Sequence, residues 1–95
     1  MKGDLLERLE LAKFMLRELE RQGQLNLTLL ENVMHRKYDY SHARFCWMFR
    51  YLRDRGFLVK SGGRHLAPYM ITLRGRHLLR LLTLVFEEEA VEVKP

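Results

Sequence analysis

The sequence lacks the cysteine pairs that disulfides and thiolate metal sites need, because Cys46 is its single cysteine. No intrachain disulfide is possible, and a reducing compartment is the simple interpretation. The longest apolar stretch, residues 78–86, contains Arg80 and is far shorter than the ~20 residues that span a bilayer. The first ten residues mix acidic and basic side chains and lack the apolar core of a secretory signal. We therefore expect a cytoplasmic protein with no membrane partner.

The sequence also lacks the motifs of enzymes and metalloproteins. It has no glycine-rich phosphate loop, no nucleophile motif and no carboxylate pair in a catalytic setting, so we predict no catalytic residues, no cofactor and no enzymatic activity. The four histidines are not spaced as metal ligands and have no cysteine pair beside them, so no metal site is predicted. Arginines near Cys46 leave two interpretations open, a redox-sensitive thiol or a small half-buried side chain.

Asparagine, glutamine and serine occur only twice each, beside many arginines, glutamates and leucines, and this composition is typical of thermophile proteins. With 47% hydrophobic and 31% charged residues the chain is predicted to be globular, because disordered chains contain fewer large apolar residues. Ninety-five residues suffice for one domain, residues 1–95, and not for two.

Basic residues are concentrated in the middle of the chain. Residues 1–40 contain seven Lys or Arg and seven Asp or Glu, residues 41–80 contain nine and one, and residues 81–95 contain one and four. The central segment thus has a net charge of +8. Each Lys or Arg that meets a phosphate releases condensed counterions, so such a segment is typical of nucleic-acid binding. A basic thermophile surface without that role is the alternative.

Helical periodicity and capping signals predict four helices. The first has Asp4 as a candidate N-cap, ends at Gly23, and has a core stripe formed by Leu5, Leu9, Ala12, Leu16 and Leu19. Thr28 and Glu31 have capping-box spacing at the start of the second helix. The predicted elements are a helix at 4–22, a short strand at 24–27, helices at 28–36 and 41–55, a hairpin at 57–71, a helix at 72–89 and a frayed tail at 90–95.

Single residues mark the later boundaries. Ser41 is the N-cap candidate of the third helix, and Gly56 would end it. In the hairpin, residues 57–60 and 66–71 are β-prone and residues 61–64 signal a turn. Pro68 lacks an amide N–H, so its strand should be an edge or be bulged there. Thr72 would cap the last helix, in which Gly75 costs roughly 1 kcal/mol relative to Ala unless close packing requires it.

Two motifs resemble those of winged helix-turn-helix DNA-binding proteins. Residues 52–58, LRDRGFL, are similar to the pattern in which a recognition helix ends in Leu-x-x-x-Gly and enters the wing. Residues 69–79, YMITLRGRHLL, resemble the segment that closes the wing in many small archaeal and bacterial transcription regulators. The resemblance implies an α+β winged helix-turn-helix, with a three-helix core, a β-hairpin wing and a C-terminal helix. Trp47 departs from it, because such helices usually carry small or polar residues there.

The third helix, which the resemblance makes the recognition helix, has two faces. Its predicted core face consists of Phe45, Met48, Phe49 and Leu52, and its outer face of Ala43, Arg44, Cys46, Trp47, Arg50 and Tyr51. The DNA contacts expected from this region are Tyr40, Ser41, His42, Arg44, Trp47 and Arg50. A solvated face is the alternative for the arginines. Trp47 could stack on sugar and phosphate or lie at a protein interface.

The wing and the outer helices complete the predicted binding surfaces. Lys60, Arg64 and His65 flank a Gly-Gly turn, so we expect them at phosphates or in a minor groove, although a merely solvated hairpin is the alternative. The predicted core face of the last helix consists of Leu78, Leu81, Leu82 and Val85. Apolar residues outside the predicted core stripes indicate a homodimer interface formed by Leu11, Phe14, Leu79 and Phe86. A monomer with a wide buried helix is the alternative.

Together these features predict a homodimeric double-stranded DNA-binding protein associated with the nucleoid, most simply a transcription regulator. A chromatin-type binder with little sequence preference is a variant. The rival hypothesis is a winged helix used as a protein-interaction module, since a fold does not fix a function. The +8 segment favours DNA, whereas Trp47 on an apolar patch would suit the rival.

Overall fold

The computed structural model describes residues 2–87, with side chains described from Leu5 onward. The elements are α1 (Lys2–Gln22), α2 (Leu27–Tyr38), α3 (His42–Asp54), β1 (Leu58–Lys60), β2 (Tyr69–Ile71) and α4 (Leu73–Glu87). The protein is α+β, and its element order is compatible with a winged-helix layout. The predicted end of the last helix at 88–89 and the predicted tail at 90–95 lie outside the described residues. None of the described helices is long and apolar enough to cross a membrane.

Helix α1 starts before its predicted cap and ends where the sequence indicates. Because the helix begins at Lys2, Asp4 lies inside it and the prediction of an Asp4 N-cap is wrong. Gly23 follows the last turn with φ +86°, and its N–H donates to the Leu19 carbonyl at 2.9 Å. The predicted glycine stop is confirmed, since a left-handed residue closes a helix end at least cost when it has no Cβ.

Helix α2 is capped two residues before the predicted cap. The Asn26 side chain accepts a hydrogen bond from the Leu29 N–H at 2.9 Å, so the helix begins at Leu27 and Thr28 lies within its first turn. The predicted Thr28–Glu31 capping box is therefore wrong. Asp39, with φ +62°, ends the helix by donating its N–H to the His35 carbonyl at 3.0 Å.

Helix α3 has the cap and the stop that the sequence predicts. The Ser41 hydroxyl accepts from the Arg44 N–H at 3.3 Å, and Gly56 adopts φ +79° just beyond the helix. The predicted core face is also confirmed, because its four members are the buried residues of this helix: Phe45, Met48, Phe49 and Leu52.

The hairpin is shorter than predicted on its second side. β1 and β2 pair antiparallel, with Val59 opposite Met70 at the centre. Residues 66–68 are not strand, because Pro68 has no N–H to donate; its carbonyl instead accepts from Ser61 at 2.8 Å. The outer edge of β2 is paired by Leu25, which exchanges two backbone hydrogen bonds with Tyr69 at 2.8 and 3.1 Å. The predicted short strand before α2 is thus reduced to one bridge residue.

Thr72 joins the end of α3 to the start of α4. Its hydroxyl donates to the Gly56 carbonyl at 2.7 Å and accepts from the Gly75 N–H at 3.0 Å. A Cβ at position 75 would lie 2.0 Å from the Phe57 carbonyl oxygen and 2.7 Å from an Ile71 side-chain carbon. The predicted need for close packing at Gly75 is therefore confirmed.

The core is centred on α1, which contacts α2, α3, α4 and β2. Packing on several sides buries a broad face of this helix, and the predicted stripe is only partly right: Leu5 is exposed, while Leu11 and Met15 are buried. Residue Leu11 is 3% exposed and Leu79 is 6% exposed. The prediction that these two leucines lie outside the core, where a second chain could cover them, is wrong.

The core face of α4 is likewise turned relative to the prediction. Gly75, Leu79 and Leu82 are its buried residues. Leu81 and Val85, which were expected in the core, are 59% and 60% exposed. Gly75 faces the hairpin because a Cβ at that position would meet the Phe57 carbonyl oxygen. This orientation determines which side of α4 contacts α1.

Phe14 and Phe86 are half-buried within the monomer rather than presented to a partner. The Phe14 ring stacks on Tyr38 with centroids 4.2 Å apart and an interplanar angle of 8°. The Lys13 ammonium lies 4.9 Å from the centroids of both phenylalanine rings. Charged residues at these two positions would therefore disturb the monomer itself.

A buried carboxylate, Glu18, attaches α2 to α1. Its Oε2 atom accepts from Lys37 Nζ at 2.8 Å, from the Tyr38 hydroxyl at 2.9 Å and from Arg21 at 3.3 Å. Burial by itself raises the pKa of Glu18, but these hydrogen bonds and the charges of Lys37 and Arg21 outweigh it, and the pKa is lowered. Burial and the neighbouring Glu18 raise the pKa of Tyr38 to about 12.

We expect Gly75→Ala to destabilise the fold by about 3 kcal/mol, at the upper end of overpacking costs, because the methyl group meets a backbone oxygen that cannot turn aside. Gly63→Ala is the matched control, since nothing lies within 4 Å of a Cβ at that position. Chemical unfolding of both variants measures the difference. Equal stabilities would contradict the close contact.

Glu18 should make the free energy of unfolding depend on pH in the acid range. Because folding lowers its pKa from the ordinary 4.5, its contribution is present above about pH 4.5 and is lost as the pH falls through the folded-state value. Urea unfolding at several pH values should show that Glu18→Gln is less stable than the native chain near neutrality and loses less stability on acidification. Parallel pH profiles of the two proteins would refute this role.

Candidate nucleic-acid interface

Helix α3 presents to solvent the face that the sequence predicts. Ala43, Arg44, Trp47, Arg50 and Tyr51 are exposed, and Cys46 is half-buried. This face lies opposite the four buried residues of the helix, and Cys46 at its edge packs partly against the core. Arg50 forms no salt bridge with any side chain between residues 5 and 87.

The first turn of α3 is connected to α2 through His42. The imidazole Nδ1 contacts the Glu31 carboxylate, and Nε2 lies 3.4 Å from the Cys46 sulfur. With Nδ1–H donating to Glu31, the thiol can donate to Nε2. Among the described side chains, no cluster of His, Cys, Asp and Glu is arranged to hold a metal ion.

Arg44 is paired with a residue of α1 that the sequence did not connect to it. Its Nη2 lies 3.3 Å from Glu7 Oε1, and both side chains are more than half exposed. An exposed pair of this kind contributes only about 0–1 kcal/mol, because water competes for both charges. Arg44 can therefore leave Glu7 for another anion at little cost.

Four side chains form a cation–aromatic column along the flank of α3: Arg8, Trp47, Tyr51 and Arg55. The Trp47 and Tyr51 rings are nearly parallel, with centroids 5.6 Å apart. The guanidinium carbon of Arg8 lies 4.7 Å from the centroid of the Trp47 ring. The guanidinium carbon of Arg55 lies 4.0 Å from the centroid of the Tyr51 ring. Trp47 remains 48% exposed, so the column lies at the surface of the protein.

A cleft of about 300 Å³ lies beside this column, between the N-terminal half of α1 and α3. It is lined by Glu7, Arg8, Leu11, Tyr40, Ala43, Arg44 and Trp47. Tyr40 is half-buried, and its pKa is raised by burial and by the charges of Glu10 and Glu7, with Arg44 acting in the opposite direction. The cleft thus combines aromatic walls with charges of both signs.

The wing loop, residues 61–68, carries the predicted basic tip. Arg64 and His65 are exposed. Lys60, at the end of β1, is half-buried and its Nζ donates to the His65 carbonyl at 3.4 Å. The Arg64 carbonyl accepts from the Ala67 N–H at 3.1 Å, which closes the loop and leaves the Arg64 side chain outside.

Glu7, Arg8 and Arg55 are the residues of this surface that sequence reasoning missed. The first two belong to a segment whose net charge is zero, and nothing local indicates that α1 runs beside α3. Arg55 could have been found, because positions 47, 51 and 55 fall on one helical stripe at steps of four.

Salt bridges are distributed unevenly over the molecule. On α1, Lys13 and Arg17 share the Glu87 carboxylate, and Arg21 is bound to Glu18. Six of the nine Lys and Arg in residues 41–80 form no salt bridge with a described side chain: Arg50, Arg55, Lys60, Arg64, Arg74 and Arg80. These six cations of the central segment therefore remain available to an external anion.

No protein-family model matches this chain, and no curated protein or solved structure is detectably similar to it. The contacts and charges described above are thus the basis for assigning a function.

Proposed function

We propose that this chain is a winged-helix protein that binds double-stranded DNA, with α3 in the major groove and the wing loop on the phosphate backbone. One observation carries the proposal: six of the nine cations in residues 41–80 form no salt bridge with a described side chain, whereas Lys13, Arg17 and Arg21 of α1 are paired. Unpaired cations in this number are what counterion release requires, since each one that meets a phosphate adds to the salt-dependent affinity.

Two arginines of α3 are proposed to read bases. Arg50 extends from the centre of the outer face, and guanidinium groups bind guanine edges bidentately. Arg44 would exchange the Glu7 carboxylate for a base or a phosphate, an exchange that costs little because the pair is exposed. Ser41 and His42, at the first turn of α3, are proposed to contact the backbone or base edges. Their N-terminal position on the helix supports this role.

The protein is further proposed to act as a homodimer, through a face of α4 that differs from the predicted one. Leu73, Leu81, Leu84 and Val85 are exposed and leave an apolar stripe on this helix. Arg74 and Arg76 make the start of the helix basic, and Glu88 and Glu89 follow Glu87 in the sequence. Two copies packed antiparallel would place opposite charges together, as an isologous two-fold interface requires.

A dimeric DNA-binding protein of this size fits a transcription regulator associated with the nucleoid in the cytoplasm. A chromatin-type binder would use the same surface without base readout. The protein-interaction hypothesis draws support from the exposure of Trp47, and it predicts no binding to any duplex.

The wing and α3 should respond differently to mutation. Lys60→Ala and Arg64→Ala should weaken binding to all duplexes alike and lower the salt slope by about 1 each, because each removes one phosphate contact. Arg50→Ala should cost roughly 1 to 3 kcal/mol on a selected site and much less on random DNA. Fluorescence anisotropy of labelled duplexes over a series of salt concentrations measures both effects.

Arg17→Ala is the control for these variants, because Arg17 lies on α1 and its charge is bound to Glu87 at 2.8 Å. It should leave the DNA affinity nearly unchanged. If the native protein binds no duplex in a salt-dependent way at about 50 mM salt, the DNA proposal fails and the protein-interaction hypothesis replaces it.

The dimer is tested at the exposed stripe of α4. The double variant Leu81→Asp and Val85→Asp should sediment as a folded monomer while the native chain sediments as a dimer at micromolar concentration, because both side chains lie outside the core. Circular dichroism checks that the variant is folded. A native chain that sediments as a monomer would rule out the dimer.

A further inference from the structure

The cation–aromatic column and its cleft have features that duplex binding does not use. In an intact duplex the faces of the bases are stacked on one another and are not available to side chains. Trp47 and Tyr51 nevertheless present parallel rings on the flank of α3, with an arginine at each end of the column. Aromatic rings and guanidinium planes are the groups on which unpaired bases stack.

We propose that the cleft between α1 and α3 binds a single nucleotide, whose base stacks in the cation–aromatic column and whose phosphate is held by Arg44. This inference deepens the proposed function, and it rests on that function where the nucleotide belongs to a DNA strand. A base can enter the column beside Arg8 or in its place, because indole and guanidinium both offer a stacking plane.

The size and lining of the cleft suit this ligand. A volume of about 300 Å³ is at the lower end of small-molecule sites, which fits one nucleotide and excludes much larger ligands. Leu11 and Ala43 supply apolar contacts, and Glu7 supplies a carboxylate that can accept hydrogen bonds from a base amine or ring N–H. When Glu7 binds the base, Arg44 is released to meet the phosphate.

The nucleotide can come from two sources with the same chemistry. One is a free mononucleotide. The other is an unpaired or extruded nucleotide in DNA, whose extrusion costs least where the base is already unpaired. The position of the cleft beside α3 makes the second source accessible during DNA binding, and the experiment separates the two.

Trp47 is the only tryptophan of the chain, so its fluorescence reports directly on stacking in the column. Adenosine and cytidine monophosphates should quench this fluorescence, whereas ribose 5-phosphate, which has no base, should not. In parallel, anisotropy compares a fully paired duplex with the same duplex containing one unpaired adenine. The duplex with the unpaired base should bind more tightly by between about 5-fold and 150-fold, the range for stacking one base on an aromatic side chain.

Two variants of Trp47 and one control variant test whether Trp47 is responsible for this preference. Trp47→Ala should abolish it, and Trp47→Phe should retain most of it because an aromatic face remains. Leu29→Ala is the matched control, since Leu29 on α2 is 50% exposed and does not line the cleft. It should leave the preference unchanged. Thermal unfolding by circular dichroism verifies that each variant is folded.

The outcomes distinguish this site from the proposed function. Quenching by mononucleotides without a preference for the unpaired base supports the site with a free nucleotide as ligand. A preference that depends on residue 47 supports the site with DNA as the source. If neither is found while the paired duplex still binds in a salt-dependent way, the nucleotide site is overturned and duplex binding stands. Quenching without binding to any duplex would keep the site and remove the proposed function.

Discussion

Helix α1 lies among all the other helices and β2, and this constraint determines much of the structure. A helix that is contacted on several sides cannot keep all of its charged side chains exposed to solvent, and Lys13 and Glu18 are buried. A buried charge is tolerated only with a partner, because the loss of hydration costs several kcal/mol. Glu87 of α4 is the partner of Lys13, and Lys37 of α2 is a partner of Glu18. The burial of α1 thereby specifies where two other helices attach.

The same pairing shapes the surface. Glu18 and Glu87 are occupied by cations of α1 and α2, so they do not offset the arginines of α3 and the wing. The internal charge pairs and the basic face are therefore two results of one distribution of acidic residues. The N-terminal half of α1 adds Glu7 and Arg8 to that face, which makes α1 a component of the candidate site as well as the centre of the core.

Features that depend on a few neighbouring residues could be predicted from the sequence. The Ser41 cap, the Gly23 and Gly56 stops and the core face of α3 follow from local hydrogen bonding and helical periodicity. For Gly75 the sequence left two options, a glycine that costs helix stability and a glycine that close packing requires. The structure has the second. These signals are reliable because no distant segment has to be placed before they apply.

Features that depend on tertiary packing could not be predicted in the same way. A single apolar stripe describes a helix packed on one side, so it failed for α1, which is packed on several. The face of α4 was misassigned because contact between Gly75 and the hairpin, rather than the count of leucines, determines its rotation. The contacts of Glu7 with Arg44 and of Glu31 with His42 join residues 37 and 11 positions apart in the sequence, and no local pattern marks them.

The clamp at Thr72 has a consequence for how this fold can change. One hydroxyl fixes the end of α3 to the start of α4, and the strands add only three residues each before the wing loop begins. The paired strands β1 and β2 hold the base of the loop, and residues 61–66 at its tip are exposed. Natural or laboratory variants can therefore lengthen it, shorten it or change its charge while the core keeps its stability. The length and charge of this loop can in this sense vary independently of the core.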